Sequence, residues 1–539
     1  MPRLILIMFT CLFPLTAYCQ WTTTLQWSEK YNGPPAWNST DAGRFLCLTP
    51  DSALYACGYS SNGNNYDIVL IKYTLTGDTL WIRRYNNPLD TDDVPLTVLT
   101  DTASNCYILS SESGPGVSRF RILNYDDSGI LQWTTVADSM WENSNNLPLK
   151  CMALDHSGHI IIGGSVFNTT QDYRTIRYNA SGNLLWKRVF ASSGLGADKL
   201  TTLITDAAGN VYVSGSSWNG SNYDYLTLKY DSVGTLMWQA VWNGPGNSTD
   251  YPYSMALDSL GNLYVSGECY MGSPPANTGF GTVKYNASGA FQWEAFYNAP
   301  DSLSDRAQII RCISGFIYVG GTSYRSSPSL GGSGNDFCLV KYDMSGNQLW
   351  WAGFNGSGND DDILYSMDVT SDGDVVMAGD IYSSDHSRSM GLVCYSPSGN
   401  ELWRTEYDSA AMEQKAFGLA CGANNSIYVC GIDNYNMRTM RYNATIVTAT
   451  GMASQEKPRV FPNPSCGEQL HVVLPGDDQD LKHALISDLS GKEFVVRYSR
   501  TMEGVYILNP AQLSPGYYLL SLKCRNTYTL PLLILPGRK

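Results

Sequence analysis

The sequence predicts an all-β protein in which one short unit recurs, followed by a second, smaller all-β module. Composition supports the first part of this prediction: of 539 residues, 12% are aromatic and 50 are glycine, and only 16% are charged. Such a mixture is typical of short strands and tight turns and excludes a disordered chain or a coiled coil. The second observation is an aromatic motif that returns along most of the chain.

The motif is a tyrosine followed eight residues later by a tryptophan. It occurs seven times, at Tyr73 and Trp81, Tyr125 and Trp133, Tyr178 and Trp186, Tyr230 and Trp238, Tyr285 and Trp293, Tyr342 and Trp350, and Tyr395 and Trp403. Each unit also carries four strand signals separated by glycine-containing turns. In one unit these are 199–205, 211–215, 225–230 and 235–242. Each unit is therefore predicted to be a four-stranded antiparallel sheet.

Two incomplete copies predict how the repeat closes. Trp27 has no tyrosine motif before it, and Tyr442 has no tryptophan after it. If the N-terminal strand around Trp27 completes the sheet begun near Tyr442, the sheets form a ring without an exposed edge. We therefore predict an eight-bladed β-propeller over residues 20–447 with N-terminal strand closure. The recurring Trp and Tyr side chains are predicted to form inter-blade core rather than a ligand site.

At these residues the chain resembles the SBBP family of bacterial β-propeller repeats. Its units follow the pattern D-x-x-x-x-K-Y-x-x-x-G-x-x-x-W, then D-x-x-G-N-x-Y-V-x-G, and the resemblance covers residues 21–445. This resemblance implies a propeller fold and an extracellular setting, but no activity.

The N-terminus predicts export. Arg3 precedes the apolar run 4–15, and a signal peptide of residues 1–19 would be cut between Cys19 and Gln20. The alternative, a membrane anchor, is disfavoured because this run is too short for the ~30 Å hydrocarbon layer. No later stretch reaches 18 apolar residues, so we predict no transmembrane span in the mature chain.

After a small, polar linker at 448–457, residues 458–539 are predicted to form a small Ig-like β-sandwich. This segment resembles the C-terminal sorting domain of type IX (Por) secretion substrates. The residues that carry the resemblance are Pro462, Asn463 and Pro464, the 488–492 turn, Gly516, Tyr517 and the basic end at Lys539. It implies Sec export to the periplasm of a Gram-negative bacterium, a partnership with the type IX machinery, and release or attachment at the outer-membrane surface. The alternative is an Ig-like accessory domain without a sorting role.

Charge and cysteine usage limit the partners and the chemistry. The formal net charge is −14, so a nucleic-acid groove is excluded. The cysteines follow no metal-binding spacing. Two pairs flank predicted hairpin turns, Cys47 with Cys57 and Cys421 with Cys430, and are candidates for cross-strand disulfides; the alternative is that they are buried free thiols.

Recurring aspartates form the candidate cation-binding set. They fall in the loops that precede each first strand: Asp41, Asp93, Asp198, Asp250, Asp305 and Asp362. Carboxylates on one face of a ring are ligands that suit calcium. The alternative is that each carboxylate accepts hydrogen bonds from backbone amides in its own turn. No other cofactor is implied.

No catalytic motif emerges from the histidines, serines or glycine-rich turns. The leading hypothesis is a non-enzymatic binding or adhesion scaffold, secreted or attached to the cell surface, with an extracellular glycan or protein as ligand. The competing hypothesis is a secreted propeller hydrolase or lyase that acts on extracellular glycans.

Overall fold

The computed structural model describes residues 19–34, 40–114, 117–137, 151–167, 170–192, 196–272, 277–299, 302–325, 334–383, 387–409 and 413–448, and parts of the C-terminal region. In that region it describes residues 459–461, 470–473, 481–488, 492–496, 498–500, 506–508, 513–514, 516–523 and 527–534. The described residues contain strands and turns but no helix, so no helical segment among them has the length and apolar character needed to cross a membrane. Residues 1–18 of the predicted signal peptide lie outside this set.

The first compact unit spans Gln20–Val447 and consists of four-stranded antiparallel sheets. Sheet 1 contains β2 (Asp41–Leu48), β3 (Ala53–Ser61), β4 (Tyr66–Thr74) and β5 (Thr79–Tyr85). Sheet 2 contains β6 (Asp92–Thr100), β7 (Cys106–Gly114), β8 (Val117–Tyr125) and β9 (Leu131–Val136). Sheet 3 contains β10 (Met152–Leu154), β11 (Ile160–Phe167), β12 (Gln171–Tyr178) and β13 (Leu184–Phe190). Sheet 4 contains β14 (Asp198–Thr205), β15 (Val211–Trp218), β16 (Tyr223–Tyr230) and β17 (Leu236–Trp242).

The second half of this unit repeats the arrangement. Sheet 5 contains β18 (Tyr251–Leu257), β19 (Leu263–Gly272), β20 (Asn277–Tyr285) and β21 (Phe291–Tyr297). Sheet 6 contains β22 (Ser302–Ile313), β23 (Phe316–Arg325), β24 (Gly334–Asp343) and β25 (Gln348–Phe354). Sheet 7 contains β26 (Ile363–Val369), β27 (Val375–Tyr382), β28 (Arg388–Tyr395) and β29 (Glu401–Tyr407). Sheets 5 and 6 are joined by one parallel pair, Thr278 with Ser304.

Sheet 8 joins the two ends of the unit. It contains β30 (Gln414–Cys421), β31 (Ser426–Asp433), β32 (Asn436–Thr448) and the N-terminal strand β1 (Cys19–Tyr31), in the order β1-β32-β31-β30. The predicted closure requires this pairing of the first strand with the last one. It leaves β1 in the outer position that β5, β9 and their counterparts hold in the other sheets.

The sheets are held together by a contact that we call the Trp–Gly seam. In it, the indole of an outer strand lies on the hairpin-turn glycine of the next sheet, and its Nε1–H donates to a carbonyl of that turn at 3.0 to 3.3 Å. The seam pairs are Trp27 with Gly77, Trp81 with Gly129, Trp133 with Gly182, Trp186 with Gly234, Trp238 with Gly289, Trp293 with Gly346, and Trp350 with Gly399. Each glycine has a positive φ, between +77° and +99°, and an added Cβ would lie 2.5 to 2.8 Å from the ring. The turn therefore requires glycine both for its conformation and for the close approach.

Aromatic packing confirms the prediction that these Trp and Tyr side chains form core. Trp81 lies 5.5 Å from Tyr55, between centroids, in a cluster that joins residues of sheets 1 and 2. Trp27 contacts Tyr428 of its own sheet and Tyr73 of sheet 1. Because the N-terminal tryptophan makes the same type of contact as the internal ones, it links sheet 8 to sheet 1.

The second compact unit includes the described strands that follow Thr448. One sheet has the order β33 (Arg459–Phe461), β34 (Leu470–Val473), β38 (Tyr506–Leu508) and β37 (Tyr498–Arg500). The other has the order β36 (Glu493–Val495), β35 (His483–Asp488), β39 (Gly516–Lys523) and β40 (Thr527–Ile534). Buried apolar residues of both sheets, such as Leu470 and Ile486, share one core. Gly516 and Tyr517 lie in β39, whereas Pro462, Asn463, Pro464 and Lys539 fall outside the described residues.

The structure does not form either predicted disulfide, because the strand register does not place the cysteines opposite each other. Cys57 lies opposite Phe45, and Cys47 lies opposite Tyr55. Cys430 lies opposite Gly418, and Cys421 lies opposite Ile427. All four are free thiols; Cys57 and Cys430 are buried, as the alternative stated for them has it, whereas Cys47 and Cys421 are only partly buried.

Candidate functional site

The first strands of all eight sheets line one cavity of about 590 Å³, which we call the axial cavity. Its wall includes residues of β2, β6, β10, β14, β18, β22, β26 and β30. Residues from eight separate strands thus border one cavity. Its volume lies within the range of small-molecule sites.

A β-bulge occurs in seven of these eight first strands. In each, the register with the second strand skips one residue, which we call an axial bulge residue. The seven are Arg44, Leu96, Thr201, Tyr253, Gln308, Tyr365 and Phe417. A bulge re-aims a side chain and is common next to functional sites. Five of the seven axial bulge residues line the axial cavity; Leu96 and Thr201 do not.

Aromatic and cationic groups concentrate on one side of this ring. Tyr365 and Phe417 of sheets 7 and 8 lie 4.8 Å apart between ring centroids. The guanidinium carbon of Arg44, in sheet 1, lies 4.6 Å from the Phe417 centroid. We call these three residues the stacked trio. The bulge positions of sheets 2 and 4 instead carry Leu96 and Thr201, which are both buried.

The wall of the axial cavity is positively charged, although the chain as a whole is acidic. Among the described residues, the lining includes Arg44 and Arg311 but no aspartate or glutamate, in a protein with a net charge of −14. Arg311 donates to the backbone carbonyls of Met367 and Ile310 at 3.0 and 3.2 Å. Burial lowers the pKa of Arg311, and Asp368 opposes this shift. The cavity therefore favours neutral or anionic ligands.

Two acidic groups with arginine partners lie near the bulge tyrosines. The Tyr253 hydroxyl is 3.5 Å from the Glu268 carboxylate, to which Arg306 Nε donates at 2.9 Å. In sheet 7, Asp380 forms an ion pair with Arg388. Burial, followed by the charge of Glu268, raises the pKa of Tyr253, and burial followed by Asp380 raises that of Tyr365. Both phenols are therefore protonated hydrogen-bond donors at neutral pH.

The recurring aspartates serve their own turns. Five accept from the backbone N–H six residues earlier, at 2.5 to 2.7 Å; these are Asp93, Asp198, Asp250, Asp305 and Asp362. Asp41 accepts from Gly33 N–H at 2.8 Å. All six are fully or almost fully buried. Each carboxylate thus anchors the loop that leads into its first strand, which was the alternative to a cation site.

Burial raises the pKa of several of these carboxyl groups, despite the amide hydrogen bonds. The pKa rises to about 7 for Asp93 and Asp362 and to about 6 for Asp250. Within the described ranges, no three His, Cys, Asp or Glu side chains come together as a metal site. Calcium binding by the six aspartates stays a prediction without such a cluster to support it.

The axial bulge residues were not identified by the sequence analysis. A signal for them exists, because each one follows the recurring aspartate, or Gln414 in the last unit, by three residues. The residue type at this position varies from unit to unit, but so does the residue directly after the aspartate. The fixed spacing from the aspartate is therefore the signal that could have located it.

Comparison with known protein families supports the propeller fold. The SBBP family, described as a beta-propeller repeat, matches residues 241–268. A second match, to a beta-propeller domain of unknown function (DUF5122), covers residues 157–184. The two matches fall in different copies of the repeat, and together with the sheet topology they define a β-propeller protein.

Individual relatives are distant. An uncharacterized WD repeat-containing protein of Acanthamoeba polyphaga mimivirus is 20% identical over 424 residues, which are 63% of this chain and 28% of that protein. The chain thus spans less than a third of that relative. Among solved structures, Sqt1 from Chaetomium thermophilum matches 78% of this chain and 99% of its own at 10% identity and a TM-score of 0.48. Drosophila Semaphorin 2a matches 94% of this chain and 99% of its own chain at 9% identity and a TM-score of 0.40.

Proposed function

We propose that this protein is an exported, closed eight-bladed β-propeller that binds an extracellular ligand in its axial cavity without transforming it. The observation that carries this proposal is the single cavity bounded by the first strands of all eight sheets. Bulges direct side chains of different types toward the cavity, while the repeated sheets provide a constant frame. This combination is expected of a binding scaffold. The ligand classes we propose are an extracellular glycan or a protein segment.

The binding proposal is tested on the mature chain from Gln20 onward. We expect hits on a glycan array, and we expect a Phe417→Leu variant to lose them because Phe417 lines the cavity. The matched control is Phe291→Leu, which changes an exposed phenylalanine on an outer strand. Equal binding by both variants, or an array and a peptide library without hits, would contradict a ligand site in the cavity.

We further propose that residues 1–19 direct Sec export and that residues 458–539, a small Ig-like sandwich, deliver the chain through type IX secretion to the surface of a Gram-negative bacterium. The support is the order of the Pro462-Asn463-Pro464, Gly516-Tyr517 and Lys539 elements along the sequence. In a type IX-competent host, we expect the full chain outside the cell and a chain that ends at residue 457 in the periplasm. If the truncated chain reaches the surface equally well, the sorting role is wrong.

A second candidate is a glycan hydrolase or lyase. The observation that favours it is the hydrogen bond of Tyr253, which lines the cavity, to Glu268, which Arg306 also contacts. A phenol acting as a base would need a lowered pKa, but burial and Glu268 raise the pKa of Tyr253. We therefore expect no release of products from array-positive glycans after prolonged incubation. Product release that a Tyr253→Phe variant abolishes would favour the enzyme instead.

A further inference from the structure

The stacked trio leaves hydrogen-bond donors unused. Arg44 lies over the Phe417 ring, and a guanidinium stacked by its face keeps its N–H groups directed outward in its own plane. No acceptor for the Arg44 guanidinium occurs among the described residues, and the same is true of the Tyr365 hydroxyl. Two donors that line a cavity are thus available to a ligand.

The acids close to the trio are already paired. Asp380 and Glu413 both act electrostatically on Tyr365. Asp380 forms its ion pair with Arg388, and Glu413 lies 2.8 Å from Lys415 Nζ. In the part of the chain that the structure describes, Arg44 has an aromatic partner but no carboxylate. Its charge is therefore not neutralised by an ion pair.

The other cavity arginine does not offer the same opportunity. Two Arg311 N–H groups donate to backbone carbonyls, and Asp368 acts on its charge. Arg311 is therefore engaged by the protein itself. Of the two cavity arginines, Arg44 is therefore the one whose N–H groups can bind a ligand.

The chemistry of the trio defines a ligand. A planar fork of N–H donors matches the two oxygens of a carboxylate. Aromatic rings in the same wall present flat apolar surfaces, and about 590 Å³ accommodates a ring of six atoms with its substituents. We propose that the stacked trio binds a ring compound bearing a carboxylate, with the carboxylate on Arg44 and the ring beside Tyr365 and Phe417. This inference rests on the proposed binding function and specifies its ligand class.

Two sources share this chemistry, a hexuronic acid unit of an acidic glycan and an aromatic carboxylic acid. Calorimetric titration of the mature chain with glucuronate and glucose, and with benzoate and benzyl alcohol, separates them. We expect one of the two acids to bind at least about tenfold more tightly than its neutral counterpart, since hydrogen bonds to charged groups contribute that much or more. The arm that binds identifies the source.

Variants assign the effect to Arg44. Arg44→Gln is expected to weaken carboxylate binding about tenfold and to leave the neutral compound unchanged. Arg44→Lys, which keeps the charge without the fork, is expected to fall between the two. The matched control is Arg404→Gln, because Arg404 also lies over a phenylalanine, at 5.0 Å, but is paired with Glu401 and does not line the cavity. It is expected to change binding less than about twofold.

The outcomes distinguish this inference from the function on which it rests. If the acids bind no better than their neutral counterparts, or if Arg44→Gln and Arg44→Lys both bind them normally, the inference is overturned. Array hits that persist in both Arg44 variants would also overturn it while leaving the binding function intact. If Arg44→Gln does not fold, the Arg44→Lys titration decides the matter by itself.

Discussion

The Trp–Gly seam and the ring of axial bulge residues lie in the same repeats but differ in what they preserve. The seam repeats one indole, one glycine and one hydrogen bond seven times within 0.3 Å, from 3.0 to 3.3 Å. The bulge repeats a backbone irregularity seven times, while its side chain changes from Arg to Leu, Thr, Tyr, Gln and Phe. The outer contact therefore repeats with little change, whereas the side chain at the inner position differs between sheets.

The largest expected effect tests whether the N-terminal strand belongs to the seam. Trp27→Ala should lower the free energy of unfolding by about 4 kcal/mol, as removal of a large core side chain does. Trp81→Ala, which removes the equivalent internal indole, is the matched variant and should cost about the same. Urea unfolding measures both. A negligible cost for Trp27→Ala alone would separate the first strand from the ring.

The next effect separates the two demands on a seam glycine. Gly289→Ala should cost about 3 kcal/mol, because the methyl group meets both an unfavourable φ of +84° and the Trp238 ring at 2.5 Å. Gly315→Ala has a φ of +76° but nothing within 4 Å, and should cost only about 1 kcal/mol. Equal costs in thermal or urea unfolding would show that the ring contact contributes nothing.

The turn aspartates predict a pH dependence. The folded pKa of Asp93, about 7, exceeds its ordinary value of 3.8, so the folded protein retains the proton more strongly. The associated stability is complete below about pH 4 and is lost as the pH rises through 7. We expect the free energy of unfolding to fall by about 2 kcal/mol between pH 5 and 8, since one pKa unit corresponds to about 1.4 kcal/mol.

The matched variants for this titration are Asp93→Asn and Asp231→Asn. Asp93→Asn should flatten the decrease of the melting temperature between pH 5 and 8. Asp231 has a lowered pKa, because backbone N–H groups of its turn donate to it, and lies partly exposed in a hairpin turn, where two other units carry Asn179 and Asn286. Its replacement should leave the pH profile in this range unchanged. A flat profile in the unmodified protein would contradict the burial effect.

The smallest effect is expected at the axial bulge residues. Tyr253→Phe removes only a long, 3.5 Å hydrogen bond to Glu268, so the free energy of unfolding should change by about 0.5 kcal/mol or less. Calorimetry on this variant beside Trp81→Ala tests the contrast between the two regions directly. A loss comparable with that of the seam variant would mean that the ring also supports the fold.

Much of the frame could be predicted from the sequence, because local spacing encodes it. The strands expected at 199–205, 211–215, 225–230 and 235–242 correspond to Asp198–Thr205, Val211–Trp218, Tyr223–Tyr230 and Leu236–Trp242. The pairing of β1 with β32 followed from two incomplete motifs. The prediction of the cysteine pairs failed because the hairpin turns place Cys47 opposite Tyr55 and Cys421 opposite Ile427, and the exact register that a turn sets leaves no clear mark in a hydrophobic pattern.

The sequence by itself determined the repeat, its four strands, the seam residues and the small all-β module that follows, since turns and strand periodicity are local properties. Only the tertiary structure decided that Arg44, Phe417 and Tyr365 meet, that the aspartates bind their own loops, and that the cavity wall of an acidic chain carries arginines and no acid among the described residues. These three residues come from strands separated in sequence by up to 373 positions, between Arg44 and Phe417. Their contact depends on the arrangement of the sheets around the axis, which no local pattern specifies.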